Sequence, residues 1–204
     1  MNDPNRPALI RKALILEWCL ISYNILEAAA ALVFGVWAKS IALVGFGLDS
    51  VIEVFSAAIL VWRLSHKGSS EEEEKKEKKA LFFVGITFFL LAAYVGYESI
   101  MKLWHQDKPD ASLPGIVLAV LSVIIMPVLG FAKMKIASQI GSRALKADSM
   151  ETIICAYLSV ILLVGLVLNG LFGWWWADPV AGLVMIYFLV KEGWEAMSGK
   201  GCCG

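Results

Sequence analysis

Six stretches of this chain are apolar and long enough to cross a bilayer as helices, at about 13–36, 41–64, 80–103, 113–132, 144–168 and 180–197. A hydrocarbon core about 30 Å thick needs roughly 20 residues at 1.5 Å each. Inside it no water is available to bond the backbone, so every N–H and C=O must pair within the segment. The expected fold is therefore all-α, a single unit of six transmembrane helices over 1–204. Residues of the apolar classes make up 59% of the chain, above the roughly 45–50% of soluble domains. That excess is what a lipid-facing surface requires.

Charge sets the orientation. With both termini on the cytoplasmic side, the inner segments hold 15 of the 18 Lys and Arg residues and the outer segments hold 3, Lys39, Lys102 and Lys108. Cytoplasmic loops carry the excess of basic residues, so both termini are expected inside, in a cell membrane. The same topology puts Trp174, Trp175 and Trp176 at the outer interface, where indole rings sit well. The run EEEEKKEKK between the second and third spans reads as a solvated extension. Zero net charge argues against a nucleic-acid partner. The polar, proline-containing start MNDPNRPALIRK is followed by no small-residue cleavage site, so the first helix is expected to stay in the protein. The four cysteines form no disulfide framework: Cys19 and Cys155 lie in apolar runs, and Cys202 and Cys203 are adjacent in the tail, where they could bind metal, carry an acyl chain or be inert.

Against this background the acids inside the spans stand out. An ionised carboxylate at the bilayer centre costs from about 3 kcal/mol upward, so such residues mark ion and proton paths. The second span reads GLDSVIEV, with Asp49 and Glu53 four residues apart on one helix face. The fifth reads ADSMETIIC, where Glu151 and Cys155 repeat that spacing and Asp148 precedes Glu151 on the same face. The two spans run antiparallel in the proposed topology. Two facing pairs then supply three carboxylates and one thiolate at mid-membrane, a donor set for a divalent cation. Cys155 reads equally as a ligand and as a small packing residue. No Lys or Arg lies between Lys39 and Arg63 or between Lys146 and Lys191, and none is expected inside the other spans to neutralise these acids. Glu27, with Asn24 one turn before it, is expected to line the same cavity and to serve ion or proton passage. Asp148 is expected on the cytoplasmic way in. Glu17 reads as interfacial, and Glu98 as the partner of Lys102 at i+4.

This joint pattern resembles the cation diffusion facilitator family, whose members carry two four-residue ligand pairs on their second and fifth helices. Asp49-Ser-Val-Ile-Glu53 matches the first pair, and Glu151-Thr-Ile-Ile-Cys155 the second, after the lead Ala147-Asp148. WADPVAGLVMIYFLVKEGWE resembles the way into that family's sixth helix, and YESIMKLW the end of its third. The resemblance covers about residues 10–198. It implies a metal/proton antiporter rather than an enzyme, with Zn²⁺ as cargo and Cd²⁺ or Mn²⁺ as alternatives, protons as counter-ions, no prosthetic group, and a homodimer. The chain departs from the family in three ways. Glu151 stands where its zinc members usually have histidine, and Cys155 where they have aspartate. Only a few residues follow Met197, so no soluble C-terminal domain is expected and a dimer would form through membrane helices. A membrane adaptor that keeps the fold without transport is the alternative reading.

Overall fold

The computed structural model describes residues 6–65 and 71–198, apart from the side chains of 71–77, 79–81, 84 and 143. Among the described residues six helices follow one another: α1 (Arg6–Trp37), α2 (Ile41–Ser65), α3 (Glu71–His105), α4 (Leu113–Ile140), α5 (Arg143–Phe172) and α6 (Ala177–Ser198). There is no strand among the described residues. α1 to α5 are each long and apolar enough to span a bilayer. α6 has the length, but Asp178 lies at its start and Lys191, Glu192 and Glu195 near its end.

The helices run past the expected limits of the spans. The polar link after about 132 is in fact the last two turns of α4, which continues through Pro127 and stops at Ile140. Gly141 then takes a left-handed φ of 66°, and Ser142 caps α5 by accepting from the Leu145 N–H at 3.2 Å. Glycine at C′ followed by serine at the next N-cap is the local signal for this tight reversal. The acidic and basic run expected as an extension is helical from Glu71, as the first turns of α3. His66 and the pair Cys202-Cys203 lie outside the described residues.

Polarity is distributed inside out. Leu26 is 71% exposed and Leu171 76%, whereas Glu17, Asn24, Ser50 and Lys133 are fully buried. In water this arrangement would be unfavourable; against lipid tails it satisfies every face. Exposed Trp37, Trp104, Trp174 and Trp176 cluster at one set of helix ends, where a tryptophan belt is expected. Trp174 and Trp176 stack, with ring centroids 5.2 Å apart.

Pairing follows close contacts. α1 packs on α2, α4 on α5 and α3 on α6, and α1 also meets α4 while α2 meets α5. Small residues make the approaches possible. A Cβ added at Gly130 of α4 would lie 2.7 Å from Ile153 of α5, and one at Gly85 of α3 would lie 2.7 Å from the Gly193 carbonyl of α6. Asp178 ties the start of α6 to the start of α2, accepting from the Ser40 hydroxyl and, at 2.9 Å, from the Ile41 N–H.

Candidate metal-binding layer

The core of the bundle holds a column of buried polar groups, contributed mainly by α1, α2, α4 and α5. Asp49 and Glu53 both lie inside, each 3% exposed. Their shared face, expected from the four-residue spacing, turns toward α5. Cys155 is buried beside Asp49 and Glu53. One turn earlier on α5, Glu151 Oε2 accepts from the Ser56 hydroxyl of α2 at 2.8 Å. As Asp49 meets Cys155 while Ser56 meets Glu151, the two helices run antiparallel, as expected.

α1 completes the layer. Asn24 Nδ2 donates to Glu53 Oε2 at 2.7 Å. One turn further along, Glu27 accepts from Tyr23 at 2.8 Å and from Ser50 of α2 at 2.9 Å. Asn24 and Glu27 thus line the same interior as the α2 pair, with Glu27 in electrostatic reach of Asp49 and Glu53. Ser159 and Ser122 bond across α5 and α4 at 2.9 Å.

The four expected ligands lie along the contact between α2 and α5, with Asp49 and Glu53 beside Cys155 and Glu151 one turn nearer the start of α5, and one oxygen of Glu53 and one of Glu151 are engaged by Asn24 and Ser56. Among the described residues, no group of three His, Cys, Asp or Glu side chains is already arranged to hold a metal ion. Two carboxylate oxygens are left over. Glu53 Oε1 and Glu151 Oε1 are buried without a hydrogen-bond partner. A buried carboxylate oxygen in that state is costly unless something bonds it.

Three expectations are corrected. A basic group does lie inside the bundle: Lys133, on the part of α4 expected to be loop, is wholly buried. It donates to Glu17 Oε2 at 3.1 Å and to Thr152 at 3.2 Å, and forms an ion pair with Asp148. Glu17 is consequently an interior residue and not an interfacial one. Its pairing with Lys133 solves the desolvation problem that would otherwise push it to the headgroups. Thirdly, Lys102 turns away from Glu98 and donates to the Lys39 carbonyl, because the turn between α1 and α2 presents that oxygen nearby.

Glu192 of α6 is a further interior acid that no spacing in the sequence singles out. It is 9% exposed, its Oε1 is unpartnered, and it stands in electrostatic reach of Glu151 and Asp49. Its only signal was a position at the end of an apolar run beside Lys191, which reads equally well as interfacial.

The profile of the cation efflux transmembrane domain matches residues 18–198. The chain belongs to the cation efflux family. It is an integral, multi-pass membrane protein. Among its relatives, transmembrane protein 163 of Xenopus laevis is 26% identical over 184 residues, covering 90% of this chain and 65% of that protein. An uncharacterized transporter of Methanocaldococcus jannaschii is 24% identical over 192 residues, covering 91% and 66%. The cadmium, cobalt and zinc/H(+)-K(+) antiporter of Bacillus velezensis is 23% identical over 201 residues, covering 91% and 60%. The chain spans less than two thirds of the length of these relatives. The cation efflux match begins one residue after Glu17 and takes in every other buried acid described above.

Proposed function

We propose that this protein carries divalent metal cations across the membrane, with Zn²⁺ as its principal cargo and protons moving the other way. The observation that carries this reading is the pair of unpartnered oxygens, Glu53 Oε1 and Glu151 Oε1, buried along the same contact of α2 with α5 as Asp49 and Cys155. Three carboxylates and a thiol form a borderline-soft donor set suited to Zn²⁺ or Cd²⁺; with the carboxylates alone, Mn²⁺ fits. The cation efflux membership supports transport, and the name of the Bacillus relative supports zinc and cadmium.

Metal ligands must be deprotonated, so loading expels protons. When the site opens to the opposite face, returning protons neutralise the carboxylates and release the metal. Asn24 and Ser56 orient Glu53 and Glu151, and rotation about their side-chain torsions brings the free oxygens onto the ion. In this reading α6 also spans the bilayer, both termini face the cytoplasm, the six helices form one domain, and two copies associate through membrane helices. Uptake of Zn²⁺ into inside-out vesicles under a pH gradient tests it. Asp49→Ala and Glu151→Ala should abolish uptake, and wild-type rates in both would sink the site.

The neutral bonds to Glu53 and Glu151 favour a second reading, an adaptor whose polar core serves only packing. Titration calorimetry in detergent separates the two, since an adaptor gives no stoichiometric Zn²⁺ or Cd²⁺ heat.

A further inference from the structure

Among the described residues Lys133 is a fully buried cation that the metal-binding layer does not use. Its ammonium has three N–H donors and three partners on two other helices: Glu17 of α1, and Asp148 and Thr152 of α5. Asp148 and Thr152 flank Glu151 in sequence, and Asp148 shares its helix face. Glu17 lies seven residues before Asn24, and Asp148 seven before Cys155. Two helical turns, about 10 Å, separate Glu17 from Asn24 and Asp148 from Cys155, while Glu151, three residues past Asp148, lies about one turn from the ion-paired layer. The ion-paired layer sits toward the starts of α1 and α5 and the end of α4, so it closes that end of the column. Gly130 lets α4 press onto α5 here, where an added Cβ would lie 3.3 Å from the Ser149 carbonyl.

We propose that Lys133 is a tethered cation that gates this end of the site, and that a divalent ion reaches Glu151 by displacing the Lys133 ammonium from Asp148. The proposal rests on the transport reading above. One ammonium faces two carboxylates, so the layer can exchange an internal monovalent cation for an incoming divalent one. The buried, unpartnered oxygens of Glu151 and Glu192 lie in electrostatic reach of that path and would draw the ion onward. A hydrophobic plug would exclude every ion; an ammonium yields only to a stronger cation.

Cys155 reports on the gate independently of transport. With Cys19, Cys202 and Cys203 replaced by serine, it is the only one of the four thiols left. The full chain is reconstituted in sealed vesicles of known orientation. A membrane-impermeant cationic methanethiosulfonate is then applied from each side. The expected result is slow labelling with Lys133 or Lys133→Arg. Labelling in Lys133→Gln should be at least about tenfold faster, from the α1 N-terminal side only. Should Lys133→Gln fail to fold, Asp148→Asn removes the α5 carboxylate of the ion-paired layer while leaving the Lys133–Glu17 pair, and the same acceleration is expected. Unchanged rates in the folded variant, or equal acceleration from both sides, would overturn the gate. Loss of the transport reading alone would appear differently, as sided labelling that responds to Lys133 in a protein that moves no metal.

Discussion

Asn24 Nδ2 and Glu53 Oε2 lie 2.7 Å apart in the middle of the bundle, joining α1 to a carboxylate that the α2 sequence had singled out. The bond leaves Glu53 Oε1 unpartnered, so Asn24 orients the acid without saturating it. Replacing Asn24 by Ala strands the second oxygen as well. A stability loss of about 1–3 kcal/mol is expected, the cost of an unsatisfied buried acceptor. The thermal midpoint in detergent reads it, and an unshifted midpoint would show that the bond carries no weight.

Glu151 tests the site from the α5 side. Glu151→Gln keeps the size and the Ser56 bond but removes the charge, so Zn²⁺ affinity should fall tenfold or more, about 1.4 kcal/mol per decade. Ser56→Ala removes the neutral partner alone and should leave affinity within a few-fold. Calorimetry on the two variants decides whether charge or packing matters at this position.

Cys155 separates ligand from filler by softness. If its thiolate coordinates, Cys155→Ser should weaken Cd²⁺ binding far more than Mn²⁺ binding, because soft metals prefer sulfur. A loss of at least about tenfold for Cd²⁺ is expected from that preference. Equal small effects on both metals would return Cys155 to a packing role.

Acidification should weaken metal binding. The bound state requires ionised carboxylates, so lowering the pH favours the protonated, metal-free form. The slope of log affinity against pH counts the protons released on loading. A slope of zero between pH 6 and 8 would refute proton exchange at this site.

The contact between α3 and α6 gives a stability test away from the metal. Gly85→Ala places a Cβ 2.7 Å from the Gly193 carbonyl, a backbone atom that cannot swing aside. Overpacking of this kind costs about 1–3 kcal/mol, and the loss should appear as a lower midpoint with Zn²⁺ affinity in the remaining folded protein unchanged.

Much of this protein is legible in one dimension. Apolar runs of bilayer length determine helices, because lipid leaves the backbone no other way to bond itself. The four-residue spacings determine that Asp49 and Glu53 share a face, and Glu151 and Cys155 likewise, because α-helical geometry is local. Tertiary structure decided which partner each buried charge meets. Lys133 looks like a loop lysine just past an apolar run, yet α4 continues two turns beyond it and holds it inside the bundle, against Glu17 and Asp148. These three residues lie 116 positions apart on one side, Glu17 to Lys133, and no spacing rule relates residues on separate helices. Glu192 approaches Glu151 only because α6 packs on α5 as well as on α3. The desolvation cost of a charge is set by its residue type and depth, so the sequence determined that these acids needed an explanation. The compensating partner is set by helix packing, so only the fold could supply it.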